Sequence, residues 1–338
     1  MKNQIFRNLS VLTVVASTSL WSISSSAADY VLKYASVFPA VGIQGEGAKA
    51  LGELIEKKSD GAIDFQFYPS GQLGNKMQAF EGLRTGAIEM SESAATDLSS
   101  FSKIWDVFSI PYLFNNGAEA VRVLNDPRVS QILLADAEKH GFKIIGYWNM
   151  GERNILNSKK PLKTPNDLSG VKIRVMNSPM LAKSINAMGA TGTPMPWNDV
   201  YTAVQQGVID GLENSAPVIE ANKLSEVAKY YSLTEQFVIP DPQMISLVVY
   251  NALSPKLQAA IVEAGAESQT NFNNRWQESS DASIEALKKA GVKVNEVDKD
   301  AFRQAVAPLV KEFIDGSSRD LQDLYKMIVT VRDEIKTK

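Results

Sequence analysis

The chain has 338 residues, 44% of them hydrophobic and 22% charged, with a formal net charge of −3, one histidine and no cysteine. That is ample for one large or two moderate cores, and it excludes disulfides, thiolate metal sites and Cys–His chemistry. A mildly acidic chain without a basic stripe is also a poor partner for nucleic acid, whose grip on proteins comes from neutralised phosphates.

Lys2 and Arg7 precede an apolar run from Leu9 to Ile23, and Ser24-Ser25-Ser26-Ala27-Ala28 supplies the small residues of a signal-peptidase site. The run is short and rich in Ser and Thr for a membrane span. Residues 1–27 therefore read as an export signal that delivers the chain to the periplasm, with an uncleaved anchor as the alternative. Tyr30 to Ala35 alternates as a strand, Gly45 to Lys57 places Ala48, Leu51, Leu54 and Ile55 on one helical face, and Ile63 to Tyr68 alternates again before the turn Pro69-Ser70-Gly71. A helix over Asn75 to Thr85 and a strand over Ala87 to Met90 follow. Strand, helix, strand, helix, strand implies a parallel sheet with crossovers. Such sheets bind ligands beyond the carboxyl ends of their strands, where Ser91-Glu92-Ser93 falls.

Pro111 to Phe114 is an apolar turn, and Gly117 to His140 reads as two helical pieces broken at Asp126-Pro127. Lys143 to Trp148 is a buried strand that reads on through Asn149-Met150-Gly151 to Leu156, a length and glycine content that suit a crossing between two lobes. A second series follows: a strand at Lys172 to Met176, helices over Pro179 to Met188 and Asp199 to Gln206, and the turn at Asp210-Gly211. Leu247 to Tyr250 reads as a further strand, and Ser254-Pro255 caps a helix running from Lys256 to Ala290. A helix of that length suits an element shared by two lobes.

In the strand at Lys172, Ile173 and Val175 share one face and Arg174 and Met176 the other. If that second face meets a cleft, the Arg174 guanidinium requires an anion, and its planar fork of donors matches a carboxylate. Pairing of Arg174 with a neighbouring acid stays open at this point. Asn214 at the end of Asp210-Gly211-Leu212-Glu213-Asn214 offers a donor and an acceptor, or simply satisfies its own turn. Trp148 and Trp197 stand near strand ends, where aromatic side chains serve as core or lobe contacts as well as ligand platforms. Gly45-Glu46-Gly47-Ala48-Lys49-Ala50 fits a dinucleotide fingerprint, but Phe38-Pro39-Ala40-Val41 lengthens the loop beyond a pyrophosphate turn, and Asp64 begins its strand where the ribose ligand should end it. No G-x-S-x-G elbow precedes a helix, and the lone His140 has no second metal ligand of its kind. An enzyme reading, as a periplasmic lyase or hydrolase, lacks an assembled acid–base constellation.

Taken in order, Ala28-Asp29-Tyr30, Tyr68-Pro69-Ser70-Gly71-Gln72-Leu73-Gly74, Ser91-Glu92-Ser93, Gly151-Glu152-Arg153, Lys172 to Asn177, Thr193-Pro194-Met195-Pro196-Trp197 and Asp210 to Asn214 resemble the extracytoplasmic solute-binding proteins of TRAP (tripartite ATP-independent periplasmic) transporters. The resemblance spans nearly all of the chain beyond residue 27. It implies an α/β fold, a two-lobed periplasmic-binding-protein clamshell with hinge strands and a long lobe-spanning helix. Lobe I would comprise residues 28–150 and 240–275, and lobe II residues 151–239 and 276–338. It further implies a monomer without cofactor, metal or catalytic activity, which hands a small organic acid to the TRAP membrane subunits.

In similar proteins the arginine matching Arg174 binds the ligand carboxylate, Arg153 matches a second arginine beside it, and Asn214 matches an amide that reaches the same carboxylate. Glu92, Met195 and Trp197 fall at pocket-lining positions, with Phe38, Trp148 and Asn177 as further ligand-binding candidates. The ligand class is open among sugar acids, hydroxy or oxo acids and aromatic acids, with a C4-dicarboxylate engaging both Arg153 and Arg174 as the alternative. Val37-Phe38-Pro39 in the first loop and Ser215 after Glu213-Asn214 depart from the sialic-acid-binding members.

Overall fold

The computed structural model describes residues 28–336; the segment read as an export signal lies outside the described residues. The chain begins with β1 (Tyr30–Ala35), α1 (Gly42–Lys58), β2 (Ile63–Tyr68), α2 (Lys76–Thr85) and β3 (Met90–Glu92). As the alternation predicts, β1 pairs in parallel with both β2 and β3. α2 starts on a reciprocal cap in which Asn75 accepts the Gln78 N–H while the Gln78 side chain accepts the Asn75 N–H. It ends at Gly86, whose φ of 77° suits glycine. The strand expected from Ala87 begins only at Met90, because the amides of Ala87 and Ile88 are both drawn back onto the Gly82 carbonyl that closes the helix.

Two 3-10 turns, over 95–100 and 103–109, lead to α3 (Gly117–Asn125) and α4 (Pro127–Lys139). Asp126 separates them: it accepts the Arg128 N–H as the cap of α4, and Pro127 occupies the first helical position. Next come β4 (Phe142–Trp148) and β5 (Glu152–Asn157), which belong to different sheets. Residues 149–151 carry the chain across, and Gly151 sits at φ 64° so close to the Trp276 indole that a Cβ would collide with it.

The second region contains β6 (Lys172–Val175), α5 (Pro179–Ala187), β7 (Thr191–Pro194), α6 (Val200–Gln205), β8 (Gly211–Asn214), α7 (Ala216–Ala221) and β9 (Tyr230–Val238). The chain then returns as β10 (Asp241–Ser246), α8 (Leu247–Ala252), α9 (Pro255–Lys289), β11 (Lys293–Glu296), α10 (Lys299–Gly316) and α11 (Arg319–Lys336). One sheet has the order β2-β1-β3-β10-β4 and the other β11-β9-β5-β8-β6-β7. β10 runs antiparallel to both of its neighbours, with a bulge at Gln243/Met244.

The expected strand at Leu247 to Tyr250 is helix α8, and the strand is the six residues before it. Val248 and Val249 favour a strand locally, yet Val248 is 58% exposed, whereas every residue of Asp241–Ser246 is buried in the slot between β3 and β4. Tertiary burial decides the outcome.

α9 is 35 residues long, about 52 Å at 1.5 Å per residue. It packs on α1 and β4 beside the first sheet and reaches α7 and β11 of the second. Gly265 lets it close onto the Ile145 backbone, and the Phe272 ring stacks on Trp148 at 4.3 Å between centroids. α10 stays with the second region, against α5 and β9. The grouping of residues 276–338 with the second lobe fails for α11: Leu321, Leu324, Ile328 and Val331 pack into the core that holds Trp105 and Val107, and Arg332 donates to the Leu113 carbonyl at 2.8 Å. An amphipathic helix goes where its apolar stripe is covered, and the cover is α3, α4 and the 103–109 turn.

Candidate ligand-binding site

A cleft of about 320 Å³ opens between the two sheets, within the size range of sites for small organic ligands. One wall comes from the second sheet: Arg153 on β5, Arg174 and Met176 at the end of β6, Asn177 beyond it, Met195 and Trp197 after β7, and Asn214 at the end of β8. The other wall carries Phe38 after β1, Lys76 at the start of α2, Asp97 in the 95–100 turn and Asp241 at the start of β10. Phe38 and Trp197 meet edge to face across the cleft at 6.2 Å, and Gly71 lies so near Asn198 that a Cβ would collide with its amide.

Arg174 is 3% exposed, with Ile173 and Val175 packed into the core on the opposite side of the strand. Its Nε donates to the Met195 carbonyl at 2.8 Å and its guanidinium lies over the Trp197 ring at 5.6 Å. Nη1 is buried with no protein acceptor, and among the described residues no carboxylate pairs with this cation. Burial lowers its pKa to about 10, with Glu213 opposing the shift and Arg153 adding to it. It is charged at neutral pH. A buried guanidinium with an unsatisfied edge is costly to the folded chain alone, and a carboxylate in the cleft is the group that would satisfy it.

Arg153 is different. It forks onto Glu213, with Nε to one carboxylate oxygen at 2.5 Å, Nη2 to the other at 3.1 Å and Nη2 also to the Glu213 carbonyl at 2.9 Å. The two side chains are 6% and 0% exposed, so the pair is desolvated, and the charge of Arg153 is already met. Asn214 splits between the two readings of the sequence: its side-chain oxygen accepts the Ser215 N–H at 2.9 Å, while its NH₂ has no partner among the described residues and the residue lines the cleft.

Glu92 and Trp148 do not line the cleft. Trp148 is a core residue, 1% exposed, stacked on Phe272 and donating to Ser268 at 3.3 Å. Glu92 lies behind the wall at 3% exposure, with one oxygen accepting from Ser36 at 3.0 Å and the other unpaired; burial raises its pKa to about 7. Lys76, Asp97, Asn198 and Asp241 line the cleft and were not singled out from the sequence. The signal that could have drawn attention to Lys76 is its place in the first turn of α2, directly after the Asn75 cap.

Residues 34–316 match the family described as bacterial extracellular solute-binding protein, family 7. The chain is 31% identical over 327 residues to the 2,3-diketo-L-gulonate-binding periplasmic protein of Escherichia coli, covering 96% of this chain and 99% of that one. Among solved structures, a TRAP periplasmic solute-binding protein of Chromohalobacter salexigens with bound D-glucuronate superposes with a TM-score of 0.84 at 28% identity, over 89% of this chain and 99% of that one. A sugar-acid-binding protein of Advenella mimigardefordensis in complex with galactonate gives 0.85 at 26% identity, over 89% and 98%. The two α/β lobes facing one cleft, the sequence match and these neighbours agree, and the chain belongs to the family 7 extracellular solute-binding proteins of TRAP transporters, a binding protein and not an enzyme.

Proposed function

We propose that this protein captures a sugar acid, an aldonate or hexuronate, in the periplasm and passes it to TRAP membrane subunits. The observation that carries the reading is Arg174, a buried guanidinium that lines the cleft and whose Nη1 has no acceptor among the described residues. Asn214 supplies a second donor toward the same carboxylate, Trp197 and Phe38 cover the ring or chain, and Asn177, Lys76 and Asp241 meet hydroxyls. The relatives above bind diketo-gulonate, glucuronate and galactonate, which all join one carboxylate to a hydroxylated or oxo chain. A C4-dicarboxylate clamped by both arginines fits less well, because Arg153 already spends its fork on Glu213. Lobe I would comprise 28–150, 240–275 and α11, and lobe II 151–239 and 276–316; the chain acts as a monomer, with residues 1–27 removed on export.

A thermal-shift screen tests the ligand class. A ligand that binds only the folded state, present at about one hundred times its Kd, stabilises by about 2.7 kcal/mol, so a sugar acid should raise the melting temperature while the matching neutral sugar should not. A shift with the neutral sugar alone would remove Arg174 from the account. Small-angle scattering of the same samples should show a smaller radius of gyration with ligand, because the two walls meet at Phe38–Trp197 and Gly71–Asn198 and the lobes can hinge about residues 149–151 and 239–240. Identical curves at saturation would rule out closure.

A further inference from the structure

We infer that the cleft admits one carboxylate only, so that its ligand is a monoanion with a hydroxylated far end, and that Asp241 is the residue that turns dianions away. The inference rests on the sugar-acid reading above and narrows it.

Three cations line the cleft: Lys76, Arg153 and Arg174. Arg153 is held by Glu213, and Lys76 lies 3.9 Å from the Asp97 carboxylate with its ammonium over the Phe38 ring at 5.1 Å. Arg174 is thus the one cation of the cleft, among the described residues, that has no carboxylate of its own. One unmatched cation calls for one anionic group.

The opposite wall makes the converse demand. Asp241 opens β10, is 3% exposed and lines the cleft, and its carboxylate accepts no hydrogen bond from any described residue. The charged and titratable groups around it are Lys76 on α2, Arg153 on β5, Asp97 in the 95–100 turn, Glu92 on β3 and the buried Tyr34 hydroxyl on β1. An ionised carboxylate can only accept, so a ligand satisfies Asp241 by donating. A hydroxyl donates. A second ligand carboxylate offers no donor and sets like charge against like charge in a desolvated site, so it is penalised twice.

The same geometry sets the pH response. Burial raises the pKa of Asp241 to about 6, against the pull of Lys76 and Arg153. Above that value it is an anion that excludes a dianion; below it, the carboxyl carries a proton, becomes a donor and relaxes the exclusion. Glu92, raised to about 7, shifts in the same direction behind the wall.

Calorimetry with matched acids tests this: gluconate against glucarate and galactonate against galactarate, each pair differing only in a terminal CH₂OH or carboxylate, with D-glucuronate as a third monoanion. In the wild type at about pH 8 the monoacid of whichever pair binds should be favoured by about 100-fold, the scale of a like-charge contact at a desolvated site. Asp241→Asn should narrow that ratio to below about tenfold, chiefly by gaining the diacid. Lowering the pH to about 5 should narrow it markedly in the wild type and much less in Asp241→Asn, where only Glu92 behind the wall still titrates. A diacid bound as tightly as its monoacid by the wild type at about pH 8, or a ratio unchanged in Asp241→Asn, overturns the inference. Arg174→Ala separates the two levels: if it abolishes binding while Asp241→Asn leaves the ratio alone, only the exclusion of dianions falls. If none of the monoacids binds the wild type, the sugar-acid reading falls and this inference with it.

Discussion

Arg174→Ala is expected to weaken ligand binding by roughly thirty-fold to a few thousand-fold. The range is that of truncating one partner of a desolvated, hydrogen-bonded charge pair, about 2–5 kcal/mol. Arg174→Lys keeps the charge but loses the fork that donates to both carboxylate oxygens, and Lys cannot reproduce the Nε contact to the Met195 carbonyl, so it should bind much more weakly than wild type as well. A third substitution, Arg174→Met, should act oppositely on the protein alone. Arg174 is a buried cation that no carboxylate pairs with among the described residues, and Arg174→Met replaces it by a neutral, unbranched side chain. Without ligand, that variant should be more stable by about 1–4 kcal/mol, the scale on which replacing buried ionic groups stabilises, and should melt at a higher temperature. Calorimetry and thermal melts on the three variants check both halves. Ligand affinity within about threefold of wild type in a folded Arg174→Ala would show that the cation is structural.

Arg153→Ala is expected to damage the fold before it damages binding. Removing Arg153 leaves the Glu213 carboxyl 0% exposed and without its two side-chain donors, a loss of about 3–5 kcal/mol for a broken buried pair. Replacing both partners, Arg153→Met with Glu213→Leu, should restore most of that stability, because neither member is then left unpaired. The double variant is also the sharper test of function. If Arg153 only braces β5 against β8, the double variant should bind within about tenfold of wild type, since Arg174 and Asn214 remain. A double variant that is stable yet does not bind would put Arg153 on the ligand and revive the two-cation reading.

Much of the fold is legible where local chemistry and tertiary burial ask for the same thing. The Asn75–Gln78 cap, the Asp126-Pro127 break and the Ser254-Pro255 start of α9 are each decided by side chains within one turn of the boundary. Arg174 could be placed because alternation alone turns Ile173 and Val175 away from it. The misreadings arise where partners are distant in sequence. Val248-Val249 looks more like a strand than Asp241-Pro242-Gln243, and only the slot between β3 and β4 reverses that preference. Arg153 and Arg174 look alike in sequence; what separates them is Glu213, which belongs to β8 and reaches Arg153 only because β5 and β8 pair antiparallel. The acids on the opposite wall, Asp97 and Asp241, come from the 95–100 turn and from β10 of the other sheet, so no spacing within one segment could announce them.

The place of β10 in its sheet has a consequence for how the chain is made. Strands β1 to β4 are complete by residue 148, yet β3 and β4 do not touch; the strand that joins them ends at residue 246. Until it arrives, a nascent chain holds two open strand edges in the middle of a sheet, and the apolar bed of α3 and α4 waits still longer for α11, which ends at residue 336. A lobe assembled from such widely separated segments cannot finish until residues 319–336 have been made, and its long-range pairings make it slow. Until α11 is available the first sheet and its helices are therefore expected to stay loose and threadable, the condition under which a chain can pass through a membrane before it folds.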